Sequence, residues 1–148
     1  MSNNSSQTHS ADAFTRIILE IFRFNGQLIT SGDGLTKPFG LTSALWQVLG
    51  AVGDVPLSVA QIARNMGLTR QSVRRSANLL KEKGFIRLED NPNHQRAKLL
   101  MLTEQGSRVL KQVKISQIEW SNRVTQGLDG AELENAIQTL KTLDDRLQ

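Results

Sequence analysis

Residues 58–98 read SVAQIARNMGLTRQSVRRSANLLKEKGFIRLEDNPNHQRAK, and the spacing within this stretch decides the fold. Ile62 and Ala63, then Gly67 and Leu68, then Val73 form the internal skeleton of two short helices joined by a tight turn. Ala63 has to be small because the second helix crosses close above it. Gly67 takes the turn, where a positive φ costs glycine least. Val73 is expected to face inward onto Ile62 and Met66. Ser58, with Gln61 three residues on, has the pattern of a capping box, and Thr69 is placed to cap the second helix. Between the apolar points that second helix displays Arg70, Gln71, Arg74, Arg75 and Asn78. Arginine and amide side chains of this kind are suited to base edges and phosphates, and the hydroxyls of Thr69 and Ser72 stand beside them at the helix start.

Charge follows the same boundary. Residues 58–98 hold nine of the 18 Lys/Arg but only three of the 14 Asp/Glu, a local charge of +6, while the rest of the chain is at −2. The overall +4 and the pI near 9.9 therefore describe one basic face rather than a cationic protein. A face of this kind attracts a polyanion by releasing its counterions.

Outward from this stretch, Lys81 and Lys83 suit the negative end of a helix that runs to Lys83, and Gly84 supplies its stop. Phe85–Glu89 alternates as a strand, with Ile86 and Leu88 on one face. Residues 90–97 read as a polar hairpin loop that includes Arg96, and Lys98–Leu102 as the return strand. Upstream, Thr42 caps a helix to Val52 with Leu45, Val48, Leu49 and Val52 inward, and Thr30–Phe39 reads as a loop from its glycines and proline. Phe14, Ile17, Ile18, Ile21, Phe22 and Leu28 mark an earlier amphipathic helix from Ala13 to about Ile29. Thr103 opens a long helix, and Asp129 with Glu132 opens a last one carrying Leu133, Ala136, Ile137, Leu140, Leu143 and Leu147. The fold class is mostly α with a small β-wing, a winged helix-turn-helix with helices on both sides. Residues 1–11 read as a disordered polar arm, 12–40 and 103–148 as dimerisation helices, and 41–102 as the DNA-binding domain. The terminal apolar stripes are too wide for one small domain to cover. A second copy is the economical cover, and a two-fold dimer would set two reading helices one DNA turn apart, matching a pseudo-palindromic operator.

Several classes are disfavoured. The chain has no cysteine, which excludes thiolate chemistry, and no apolar run of membrane-spanning length. Its start lacks the charged and apolar regions of a signal peptide, so the expected location is the cytoplasm. The two histidines, His9 and His94, have no plausible nucleophile, paired carboxylates or phosphate-binding loop beside them. No enzyme, metal or cofactor is expected.

The segments LTSALWQVL at 41–49, SVAQIARNMGLTRQSVRRSANLLKEKGFI at 58–86 and RAKLLMLTEQG at 96–106 together resemble the MarR family of bacterial transcriptional regulators. The resemblance implies a winged-helix homodimer on double-stranded DNA, a repressor released by a small aromatic or lipophilic effector held where the dimer helices meet the winged domain. It draws interest to Trp46, although Trp46 and Trp120 read first as core residues. It also implies a minor-groove contact by Arg96. The family commonly places an Asp two residues before this arginine to orient it; here the residue is His94. A winged helix serving chromosome architecture or protein contact is the alternative, and it leaves the arginines around Gln71 and Ser72 unexplained.

Overall fold

The computed structural model describes residues 6–148; residues 1–5 of the expected arm lie outside the described residues. The chain forms α1 (His9–Thr36), a 3-10 turn (Lys37–Phe39), α2 (Ser43–Ala51), β1 (Leu57–Ser58), α3 (Val59–Met66), α4 (Arg70–Glu82), β2 (Ile86–Asn91), β3 (His94–Leu102), α5 (Glu104–Val124) and α6 (Gly130–Leu147). The chain divides into two compact units, one ending at Lys114 and one running from Ile115 to Gln148.

In the first unit, α2, α3 and α4 close a core around Leu45, Val48, Leu49, Ile62, Val73 and Leu80, to which β3 adds Leu100 and α5 adds Val113. Each of these large apolar side chains contributes about 1.5–3 kcal/mol by leaving water. All four residues expected to point inward from α2 are buried. The helix ends follow the local chemistry. Thr42 accepts from the Leu45 N–H, and Thr69 from the Ser72 N–H. Ser58 and Gln61 make the reciprocal capping box. Gly67, at φ +64°, turns α3 toward α4. Met66 departs from expectation: it lies one turn beyond Ile62 on the same helical face but is exposed, because α3 ends there and leaves it at the margin of the core.

Four other expectations need correction. The segment Thr30–Phe39 is helical as far as Thr36, so α1 is longer at this end than its glycines imply. Two internal glycines cost a helix roughly 1 kcal/mol each relative to alanine, and tertiary contacts offset that. Ser43 donates its hydroxyl to the Ile29 carbonyl at 2.7 Å, and its backbone N–H donates to the Asp33 carboxylate at 2.7 Å. The buried Thr36 donates to the Gly32 carbonyl at 2.7 Å. Gly32 allows this approach, since a Cβ there would lie 2.3 Å from the Ser43 Oγ. At its other end α1 starts earlier than Ala13, at His9, because Thr8 accepts from the Ala11 N–H.

The hairpin is also tighter than expected. Its turn is Pro92-Asn93, with the Asn93 N–H donating to the Asn91 side chain at 3.0 Å, and strand pairing takes in most of the expected loop. The sheet has three strands in the order β1-β3-β2, all antiparallel, because Leu57 and Ser58 pair with Leu100 and Leu99. On β2, Ile86 is buried whereas Leu88 is partly exposed, so the expected apolar face is only half covered.

The second unit comprises the end of α5 and α6. Asp129 caps α6 by accepting from the Ala131 N–H. Ile118, Val124, Leu133, Ile137, Leu140 and Leu147 are exposed, and Trp120 is half-buried. In the first unit Leu19, Ile21, Phe22, Phe24, Leu28 and Ile29 of α1 are likewise exposed, Phe22 by 72%. No helix among the described residues is long and apolar enough to cross a membrane.

Candidate nucleic-acid interface

The buried side of α4 is fixed by Val73, Ala77 and Leu80. Helical geometry then assigns the other positions. Arg70, Arg74 and Asn78 follow one another at four-residue spacing, and Gln71 and Arg75 form a parallel row beside them. All five are exposed, as is Thr69. Ser72 is half-buried, and its hydroxyl donates to the Thr69 carbonyl at 2.9 Å. In the free protein that proton is committed to the helix start, so Ser72 serves the first turn of α4 more directly than it serves a phosphate.

Between α4 and the hairpin lies a groove of about 400 Å³. Arg70, Arg74 and Asn78 line one wall, His94, Arg96 and Lys98 the other, and Val59, Ala77, Leu88 and Leu100 the floor. Of the expected contact residues, the groove brings together Arg70, Arg74, Asn78 and Arg96, whereas Thr69, Gln71, Ser72 and Arg75 do not line it; none of its lining residues is acidic. Lys98 is ion-paired with Asp90 across the hairpin. Its ammonium, by hydrogen bonding first and by charge second, holds the Asp90 carboxyl below the usual carboxylate range. Arg70, Arg74, Arg75 and Arg96 have no carboxylate partner among the described residues, so their guanidinium groups remain available to an incoming anion.

Arg96 lies in β3, two residues beyond His94, which pairs with Asn91 at the turn. With His94 exposed and in the position of the expected Asp, no carboxylate at that position fixes the guanidinium. Lys98, expected only as the start of the return strand, also lines the groove. Its alternation with His94 and Arg96 would have shown that the three share one face of a strand. Trp46 is half-buried and packs against the core, in keeping with its first reading.

Taken together, the capped reading helix, the wing and the carboxylate-free groove define a winged-helix DNA-binding protein. Residues 39–97 match the sequence profile of the MarR family. A relative from Mycobacterium tuberculosis, described only as an uncharacterised protein, is 38% identical over 133 residues, covering 90% of this chain and 93% of its own. The fold is shared with CouR of Rhodococcus jostii, solved bound to p-coumaroyl-CoA (TM-score 0.77, 23% identity, 93% of this chain and 95% of that one). It is shared too with the M. tuberculosis regulator MosR, solved in complex with DNA (TM-score 0.73, 20% identity, 88% and 97%). The chain belongs to the MarR family and is a DNA-binding transcriptional regulator, not an enzyme.

Proposed function

We propose that the protein is a homodimeric repressor that binds a pseudo-palindromic operator in the cytoplasm and is released by a small aromatic or lipophilic effector. The observation that carries the DNA-binding part is the juxtaposition of Arg70 and Arg74 with Arg96 across one groove free of acidic side chains. In this reading Gln71, Arg74, Arg75 and Asn78 face base edges in the major groove. Thr69 and Arg70 hold phosphate at the start of α4, where Ser72 braces the first turn, and Arg96 reaches the flanking minor groove. MosR, solved with DNA, supports the mode of action, and CouR, solved with an aromatic thioester, supports an effector of this kind.

The dimer reading rests on the exposed apolar residues of α1 and α6. Phe22, Phe24, Leu133 and Leu140 are a heavy liability for a monomer, at about 25 cal/mol per Å² of apolar surface left in water. Residues 12–40 and 103–148 would supply this interface, and residues 41–102 the DNA contact.

The test is a gel-shift titration with the DNA upstream of the protein's own gene, alongside sedimentation of the free protein. Selective binding at least a thousandfold tighter than to random DNA is expected, from a dimer at micromolar concentration. Weak, salt-sensitive and unselective binding would favour an architectural role instead. A folded monomer at that concentration would overturn the dimer.

A further inference from the structure

α1 is anchored to the winged domain near its C-terminal end. Of its residues only Gly32 and Thr36 are buried, and none belongs to the hydrophobic core. It packs on α2, and α2 packs on α4. The junction is polar. Ser43, the buried first residue of α2, donates its hydroxyl to the Ile29 carbonyl and its N–H to the Asp33 carboxylate, both at 2.7 Å. The second bond is charge-assisted and sets a negative group at the positive end of α2. Gly32 closes the fit from the side of α1, since a Cβ there would meet the Ser43 Oγ at 2.3 Å and the Trp46 ring at 3.7 Å. One turn later the Leu41 N–H donates to the Thr36 carbonyl at 3.2 Å.

Such an anchor governs direction. Hydrogen bonds are directional, so two of them converging on Ser43 fix the angle at which α1 leaves α2. The lever is long. About twenty residues of α1 precede Ile29, which at about 1.5 Å per residue makes roughly 30 Å of helix. A tilt of about 6° at the junction moves the far end of that length by about 3 Å, close to the rise of one base pair, about 3.4 Å. The side chains that the lever carries include Phe22 and Phe24, on which the dimer reading rests.

We infer that Ser43 and Asp33 form a positioning lock that sets the direction of α1 relative to the reading head, and thereby the spacing between operator half-sites that the protein accepts. This specificity arises without contact with DNA. It rests on the dimer reading proposed above, since a two-fold copy is what converts the direction of α1 into a separation between two reading helices. Reaching a half-site displaced by one base pair tilts the junction and strains these bonds. Removing one of them therefore lowers the penalty on a wrong spacing.

The experiment has two arms, each run on the full-length protein and on its Ser43→Ala and Asp33→Ala variants. In the first, Arg16→Cys in α1 and Asn65→Cys in α3, both at exposed positions, carry nitroxide labels; the chain has no cysteine of its own to compete. Labelled protein is diluted into excess unlabelled protein, so the distance measured lies within one chain. Wild type should give a narrow distance distribution and both variants a broader one. Gly32→Ala should also broaden it, and should add nothing to Ser43→Ala, which has already removed the oxygen that the new Cβ would meet. In the second arm, unlabelled proteins are titrated with operators whose half-sites stand at the natural spacing, or one base pair closer or farther. Wild type should disfavour the altered spacings by about tenfold or more, as when base contacts of one half-site fall out of register. Each variant should lower that discrimination about fivefold, the equivalent of one ordinary hydrogen bond, while still sedimenting as a dimer and melting cooperatively. Asp33 is exposed, so its variant carries the test even if Ser43→Ala folds poorly. Distributions as narrow as that of wild type, or undiminished discrimination, in both variants would overturn the lock. Equal loss of affinity at every spacing would reduce Ser43 to a structural role and overturn its part in specificity. Broadened variants of a protein that neither dimerises nor selects an operator would overturn the function proposed above and leave the lock standing.

Discussion

Gly106, in the first turn of α5, lies directly against the backbone of Phe85, and a Cβ built on it would sit 1.9 Å from the Phe85 carbonyl oxygen. The contact joins the end of the wing to the end of α4. Thr103 reinforces it, with its hydroxyl donating to the Gly84 carbonyl at 2.6 Å and its N–H donating to the Phe85 carbonyl at 3.1 Å. Backbone cannot yield as a flexible side chain would. Gly106→Ala should therefore destabilise the first unit by about 1–3 kcal/mol, the usual cost of overpacking. Urea denaturation checks this, and an unchanged midpoint would refute the close approach.

Arg75→Ala should weaken operator binding without altering the fold, because Arg75 is exposed and has no carboxylate partner among the described residues. If Arg75 reads a base, the loss is about 1–3 kcal/mol and selectivity relaxes at one position of each half-site. If it holds a phosphate, all sequences lose alike and the salt slope flattens by about one. Binding isotherms at several salt concentrations, on operator and on random DNA, separate the two. Affinity unchanged on both would remove Arg75 from the interface.

On the wing, Arg96→Ala should cost most on operators with A·T-rich flanks, where a narrow minor groove concentrates negative potential. His94→Asp should sharpen the flank preference by giving Arg96 an acceptor, although the added charge opposes phosphate. Operators differing only in their flanks, compared across wild type and both variants, provide the measurement. An Arg96→Ala protein that loses nothing on A·T-rich flanks would show that the wing does not reach the minor groove.

The Asp90–Lys98 pair sets a pH dependence for the hairpin. Its carboxyl is held below the ordinary value by Lys98, so its stabilising contribution is fully present above the unfolded value, near 3.9. It is lost as pH falls through the lower folded value. Amide shifts of Asp90 and Lys98 followed from pH 6 to pH 2 should report a midpoint under 3.9, and Asp90→Asn should erase it. A midpoint at or above the ordinary value would mean that the pair does not form in solution.

The sequence by itself determined the reading head. Its helix ends are short-range chemistry: Ser58 with Gln61, Thr69 with Ser72, and Gly67 with its positive φ all act within a few residues. The placement of Arg70, Arg74, Arg75 and Asn78 opposite Val73, Ala77 and Leu80 follows from helical periodicity alone. Only tertiary structure decided the end of α1. Gly32 and Gly34 read locally as a loop, and the segment becomes helical because Ser43, in the next helix, bonds to Ile29 and Asp33. It also decided the length of the wing strands, since pairing between β2 and β3 carries order to within two residues of the tip.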